Sequence, residues 1–255
     1  MQAPLPPDGP EDDEPLIVPV DPVSVVDQVT VKIRRSIISG ELPPGKGFSI
    51  NKMAARLGVS HIPVREALQR LEVEGLLILR PGAQPEVRPM NRDDVVGIYR
   101  LRLLLEPELA AESALLLTKA GLTQLESILD GLRNAATVDK RMAMHRRFHL
   151  ALLQNAMTDW ELRVWDYLYT ANERYARLLF TVDDDTKSDS NHFYLHMQLL
   201  VAAQSRSEEG IRLATTQHLA RNQDAILSLL DEEAARPPAP VSQISAARRR
   251  RKPKV

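Results

Sequence analysis

Four of the six histidines in this 255-residue chain are spaced so that their rings could surround one metal ion. His145 and His149 are four residues apart, so on a helix both rings project from the same face. His196 and His218 are 22 residues apart, within the last two predicted helices. Zinc, nickel and manganese accept neutral imidazole nitrogen, and facing helices of a bundle commonly collect such ligands. The pattern therefore predicts a divalent metal site inside a helical bundle.

Residues 53–68 could read DNA, because they have the composition of two short helices joined by a tight turn. Gly58 can take the left-handed conformation that ends a helix, and Ser60 can cap the helix that follows. The side chains that then face outward at the start of the second helix are His61, Ile62 and Arg65. An arginine in that position can bind a guanine edge or a phosphate. On these residues alone, a buried helix pair that touches no DNA is an equally good interpretation.

The residues on either side of this stretch favour the DNA-binding interpretation. A helix is predicted before it, over residues 25–39, and the second helix continues to a stop at Gly75. Strand-like residues follow at 77–79 and 86–88, with a turn between them. A helix-turn-helix followed by a β-hairpin is a winged helix, so residues 23–90 are predicted to form a winged helix DNA-binding domain.

From residue 91 onward the pattern is helical throughout, which places the four histidines in one domain. Glycine, polar and acidic interruptions divide this region into six predicted helices, at 92–118, 122–136, 139–155, 159–180, 188–204 and 207–231. The predicted fold class is therefore mainly α. We expect an N-terminal winged helix-turn-helix with a small β-hairpin, followed by an all-α antiparallel helical bundle over residues 91–231.

The charge of the chain is unevenly distributed, although the net charge is only −1. Residues 23–90 carry ten Lys and Arg against six Asp and Glu, whereas residues 91–243 are acidic overall. This balance is expected of a DNA-binding domain joined to a domain that does not touch DNA. Residues 1–22 are predicted to form a disordered acidic, proline-rich arm, and residues 232–255 a disordered basic tail.

Composition excludes several classes of protein. The chain has no cysteine, so it has neither disulfides nor a thiolate metal site. No apolar run reaches the ~18–20 residues that span a bilayer, and the N-terminus lacks the basic and apolar pattern of a secretory signal. We therefore expect a cytoplasmic protein without membrane contact.

Two sequence runs resemble motifs of a known family of bacterial regulators. Residues 58–76 read GVSHIPVREALQRLEVEGL, and residues 37–45 read IISGELPPG. Both resemble the DNA-binding domain of the GntR family. Residues 91–107 are similar to the opening helix of the C-terminal ligand-binding domain, the FCD domain, of the FadR subgroup of that family. The resemblance covers residues 23–231.

The resemblance implies a transcriptional regulator, not an enzyme, that binds a palindromic DNA operator in the nucleoid as a homodimer. It implies a repressor whose operator binding is weakened by a small organic acid in the C-terminal domain. The DNA-binding residues that it implies are Asn51, Ser60, His61, Ile62, Arg65 and Gln84. Three of these, His61, Ile62 and Gln84, differ from the usual family residues, which implies an altered operator sequence.

The resemblance also assigns the four histidines as metal ligands. Metal-binding members of the subgroup carry D-x-x-F-H on one helix and two histidines about 22 residues apart on the last two helices. Here residues 145–149 read HRRFH, and His196 and His218 form the pair. His145 thus replaces an aspartate, and an all-nitrogen site disfavours manganese and favours zinc or nickel. The alternative is a solvated His145 and a site of three histidines plus water.

For the effector, the resemblance points to Arg102 on the opening helix. A guanidinium beside a metal can bind a carboxylate through two hydrogen bonds while the metal takes one oxygen. Tyr169 and Arg174, on a later helix, are further candidates for effector contact, although each could equally lie in the core or on a dimer surface. The alternative for Arg102 is a salt bridge to Glu106, four residues later.

Two other functions stay open on the residues themselves. Three histidines and a water resemble a catalytic zinc site, so one alternative is a metal-dependent, hydrolase-like enzyme. No general base or nucleophile motif accompanies the histidines, which argues against it. The other alternative is a ligand-binding protein whose winged helix binds a protein instead of DNA.

Overall fold

The computed structural model describes residues 24–182 and 188–235, without the side chains of 182 and 188–192. The predicted acidic arm and most of the predicted basic tail lie outside the described residues. The helices are α1 Val25–Ile38, α2 Ile50–Leu57, α3 His61–Val73, α4 Arg92–Leu116, α5 Lys119–Arg133, α6 Val138–Leu153, α7 Asp159–Val182, α8 Ser188–Ser205 and α9 Glu208–Ala235. The strands are β1 Leu77–Ile78 and β2 Glu86–Val87, and a short 3-10 turn, Gln154–Ala156, follows α6. The predicted fold class, mainly α with a small hairpin, is confirmed.

Helices α1–α3 and the β1–β2 hairpin form a winged helix around a small apolar core. A reciprocal cap starts α1, because the Ser24 hydroxyl accepts the Asp27 N–H while the Asp27 carboxylate accepts the Ser24 N–H. The two strands pair antiparallel, with Leu77 opposite Val87. The larger buried side chains come from α1, α3 and the hairpin and include Val29, Ile33, Val64, Leu68, Leu71, Leu77 and Val87.

The turn between α2 and α3 depends on Gly58. Its φ of +69° lies in the left-handed region, and its N–H bonds back to Ala54 and Ala55 to close α2. Ser60 stands at the N-cap position of α3, but its side chain makes no capping hydrogen bond, contrary to the expectation from sequence. Its hydroxyl therefore stays on the exposed surface of the turn.

Helices α4–α9 form the predicted bundle. The two longest, α4 and α9, pack along each other in opposite directions, with Arg92 bonded to Asp231 and Glu108 bonded to Arg212 further along. The largest apolar side chains buried between the helices are aromatic and include Phe148, Trp165, Tyr169 and Phe180. No helix among the described residues is long and apolar enough to cross a membrane.

The helix boundaries follow the sequence pattern closely, with clear differences at the start of α5 and the end of α9. Helix α5 begins at Lys119, earlier than the predicted residue 122, because the Thr118 hydroxyl caps it by accepting the N–H of Gly121. Gly121, expected to interrupt the chain, therefore lies in the first turn of α5. Helix α9 continues to Ala235, past the predicted end at residue 231.

Replacing Gly58 by alanine tests the turn. We expect Gly58→Ala to destabilise the winged helix by about 1–2 kcal/mol, because an L residue at this φ strains the backbone. Gly97 lies inside α4, and a Cβ there would meet no heavy atom within 4 Å. Gly97→Ala should therefore stabilise the protein by about 0.5–1 kcal/mol. Urea unfolding, monitored by circular dichroism, measures both changes in the free energy of unfolding. Equal effects of the two substitutions would contradict the left-handed conformation of Gly58.

Candidate metal centre and DNA-binding surface

The bundle brings the four predicted histidines together. Helix α6 supplies His145 and His149, α8 supplies His196 and α9 supplies His218. All four are at most 3% exposed. Each offers one ring nitrogen, and these atoms lie within 4.8 Å of one another. Residues separated by more than 70 positions in sequence thus meet because α6, α8 and α9 turn these side chains toward the same point in the interior of the bundle.

Two of the separations between ring nitrogens match those of ligands around one ion. The Nε2 atom of His149 lies 3.2 Å from Nε2 of His145 and 3.3 Å from Nε2 of His196. Two nitrogens that are each about 2.0–2.1 Å from zinc are roughly 3.3 Å apart at the tetrahedral angle. At such a distance two nitrogen lone pairs repel unless a proton or a cation lies between them. The arrangement can therefore hold a divalent metal.

Two polar residues contact His145 and His218 and orient their rings. The Tyr169 hydroxyl lies 2.6 Å from Nδ1 of His145, which leaves Nε2 of that ring facing the centre. The Asn222 amide lies 3.0 Å from Nε2 of His218. Partners of this kind select the tautomer and the ring orientation of metal-binding histidines. The sequence argument missed Asn222, although its position four residues after His218 on one helix face was a usable signal.

The walls around the histidines are aromatic. The Phe180 ring lies 5.3 Å from the ring of His145, and the Phe148 ring lies 5.4 Å from that of His196. Burial raises the pKa of the Tyr169 hydroxyl above its usual value, so this group stays protonated. The histidine group contains no carboxylate among the described residues. A divalent ion held by four neutral imidazoles would keep its full charge and would attract an anion.

Arg102 forms the salt bridge that the sequence argument gave as the alternative. Its Nε and Nη2 atoms donate to the two carboxylate oxygens of Glu106 at 2.6 and 3.2 Å, and both residues are at most 2% exposed. The guanidinium lies near the rings of Tyr99 and Tyr169. Burial opposes the charge of Arg102, but the Glu106 carboxylate outweighs this and holds the pKa of Arg102 above its usual value.

The structure does not bring Arg174 to the histidines. Its guanidinium donates to the backbone carbonyls of Arg88 and Pro89, at 2.6 and 3.2 Å, in the segment that joins the two domains. All the described hydrogen bonds of this side chain lie at that junction. The prediction that Arg174 contacts the effector is therefore not supported. Tyr169, on the same helix, does reach the histidines through His145.

The predicted DNA-binding residues all lie on the exposed surface of the winged helix. They are Asn51 at the start of α2, Ser60 in the turn, His61, Ile62 and Arg65 in the first turns of α3, and Gln84 in the wing. Within the wing, the Glu86 carboxylate accepts a 2.7 Å hydrogen bond from Arg80. That ion pair offsets the negative charge that Glu86 would otherwise bring toward a DNA phosphate.

Both domains match known families. Residues 25–84 match the family described as bacterial regulatory proteins, gntR family, and residues 97–221 match the FCD domain. The chain is 27% identical over 217 residues to the HTH-type transcriptional repressor RspR of Escherichia coli K12, which covers 84% of this chain and 94% of that protein.

Solved structures agree with the sequence matches. A GntR family transcriptional regulator from Pseudomonas syringae pv. tomato DC3000 is 30% identical, with a TM-score of 0.51, over 82% of this chain and 87% of that one. McbR/YncC of E. coli shares the fold with a TM-score of 0.69 at 23% identity, over 82% of this chain and 99% of that one. The E. coli repressor and the Pseudomonas syringae protein are both named as transcriptional regulators, which argues against a metal-dependent enzyme. The chain belongs to the GntR family of bacterial regulatory proteins and is a transcriptional regulator with an FCD domain.

Proposed function

We propose that this protein is a repressor that binds operator DNA through its winged helix and senses a small anionic effector through a metal held by the four histidines. The observation that carries the proposal is the convergence of four buried imidazoles behind an exposed helix-turn-helix. The name of the E. coli relative, a repressor, supports the direction of regulation. Its site of action is the cytoplasm, where the bacterial nucleoid lies.

The metal is zinc or nickel, bound by His145, His149, His196 and His218. Four neutral nitrogen ligands suit these borderline ions and lack the hard oxygen that manganese prefers. The contact between His145 Nδ1 and the Tyr169 hydroxyl supports His145 as a ligand through Nε2, in place of the family's aspartate. The bound ion would supply Lewis acidity and positive charge at the centre of the bundle.

The effector is a small organic acid whose main anchor is the metal. Arg102 is a weaker anchor than the sequence suggests, because Glu106 already occupies its guanidinium. Removing one partner from a buried ion pair costs about 3–5 kcal/mol, so an effector carboxylate gains little by displacing Glu106. Asn172 Oδ1 and Trp165 Nε1 are buried without a hydrogen-bond partner among the described residues. They offer one acceptor and one donor to a polar effector near Tyr169.

A homodimer is supported by an exposed apolar face. Trp160, Val164 and Tyr167 form a stripe on α7, and Leu101 and Leu104 form a second stripe on α4. Leu101 and Tyr167 line the same surface recess, so the two stripes adjoin. We call these five residues the α4/α7 apolar face. Large contiguous apolar patches on proteins are typical of interaction sites, and a second copy would bury this one by twofold symmetry.

Removal of two histidines tests the metal site. We expect wild-type protein to purify with zinc or nickel, and the His149→Ala, His196→Ala double variant to contain little, by elemental analysis. At a metal concentration a hundredfold above the Kd, binding stabilises the fold by about 2.7 kcal/mol. A chelator should therefore lower the melting temperature of wild type but not of the double variant. His61→Ala, which removes an exposed histidine of α3, is the control, and equal metal content in all three proteins would refute the site.

Replacement of Arg65 tests the DNA-binding surface. Arg65→Ala should weaken binding to the DNA upstream of the protein's own gene by about 1–3 kcal/mol, because a side chain at a base edge or phosphate is lost. Fluorescence anisotropy measures the affinity. Arg147→Ala removes an exposed arginine of α6 and should leave it unchanged. Failure of wild type to bind this DNA at low salt would instead favour a winged helix that binds a protein.

A charge on the α4/α7 apolar face tests the dimer. Leu104→Glu should give a particle with the 28.6 kDa mass of one chain by light scattering, and wild type twice that mass, because a buried unpaired carboxylate opposes association. Val201→Glu places the same charge on an exposed apolar position of α8 and should remain dimeric. Wild-type protein with the mass of a single chain would contradict the assignment.

A further inference from the structure

We propose that Arg174 is a positioning residue that fixes the segment joining the two domains and thereby sets the orientation of the winged helix on the bundle. The segment runs from the end of β2 to the start of α4, over residues 88–91. Arg174 is 6% exposed and donates to two consecutive backbone carbonyls of this segment, those of Arg88 and Pro89. A planar guanidinium can hold two such acceptors in one fixed geometry.

Neighbouring polar groups complete the attachment. The second Nη2 contact of Arg174 goes to the Tyr175 hydroxyl at 2.8 Å, and that hydroxyl donates to the Asp94 carboxylate at 3.1 Å. The Asn91 N–H reaches the same hydroxyl at 3.5 Å. The Asp94 carboxylate also lies 3.7 Å from the Arg174 guanidinium, so its negative charge balances the positive charge of Arg174. Helix α7 thus holds both the joining segment and the first turn of α4.

The other described hydrogen bonds and salt bridges between the domains are exposed to water. The ion pair of Arg35 with Asp139 links α1 to α6, but its side chains are 76% and 43% exposed. The Tyr167 hydroxyl donates to the Val73 carbonyl at 3.4 Å, also at an exposed position. Exposed pairs contribute little to stability and are weakened by salt. The buried Arg174 contacts therefore decide the domain orientation.

The same helix connects this attachment to the histidines. Tyr169, which contacts His145, precedes Arg174 by five residues on α7, a distance of roughly 7–8 Å along the helix axis. A helix is stiff over that length, so a shift of Tyr169 moves Arg174 and the joining segment with it. The link from the histidines through α7 to Arg174 rests on the proposed function, because it requires metal or effector binding at the histidines. The proposal that Arg174 fixes the domain orientation does not rest on that function.

A distance measurement between the domains tests whether Arg174 fixes their relative orientation. Because the chain has no cysteine, Gln69→Cys on α3 and Gln217→Cys on α9 allow nitroxide labelling at two exposed positions. Labelled protein mixed with excess unlabelled protein gives the distance within one chain by pulsed electron resonance. We expect one narrow distance peak in otherwise wild-type protein and loss of that peak in Arg174→Met. Arg174→Lys should broaden the peak in part, because lysine keeps the charge but cannot donate to both carbonyls in the fixed geometry of a guanidinium. Circular dichroism checks that each variant is folded.

A matched arginine and a metal titration complete the test. Arg221→Met removes an exposed arginine of α9 and should keep the narrow peak. A peak of equal width in wild type, Arg174→Met and Arg221→Met would overturn the proposal, whether or not the protein binds metal. Zinc added to chelator-treated wild type should shift the peak, and the shift should vanish in Arg174→Met. A wild-type protein that binds zinc without any shift would overturn the link through α7.

Discussion

Burial of four imidazole rings in the middle of the bundle is the constraint on which the rest of the structure depends. Ring nitrogens 3.2–3.3 Å apart in a site closed to water must share protons or a cation, so each ring has to be held in one orientation. The contacts of Tyr169 and Asn222 do this from outside the group, and aromatic side chains close the walls. Three helices that could otherwise pack as a simple apolar bundle are thereby arranged around a polar centre.

The buried Arg102–Glu106 pair obeys the same rule. A charge in the bundle is tolerated because its partner lies within hydrogen-bond distance, and the pair leaves little net charge near the histidines. In the proposed site, a metal held by neutral ligands would add positive charge that this ion pair does not cancel. Under the proposed function, the ion, and not Arg102, would therefore be the main anchor of the effector.

Helix α7 connects the regions of the molecule that regulation has to link. Its interior face contacts His145 through Tyr169, its buried Arg174 contacts the segment between the domains, and its exposed face carries three of the five residues of the α4/α7 apolar face. The winged helix, by contrast, has its own core and presents its predicted DNA-binding residues to solvent. Because His61, Ile62 and Gln84 lie outside that core, they can differ from the usual family residues without cost to the fold.

The sequence by itself determined the elements and the residue types of both sites. Gly58 and the apolar spacing of α1 and α3 predicted the winged helix, and the four-residue interval between His145 and His149 required a shared helix face, because these are local properties of the backbone. Only the tertiary structure decided that Tyr169 contacts His145 and that Asn222 contacts His218. It also decided that Arg102 is paired with Glu106 and that Arg174 binds the segment between the domains. Periodicity tells which side of a helix is buried, but the rotation of each helix about its axis, and hence the partner of each buried polar group, is set by packing against distant parts of the chain.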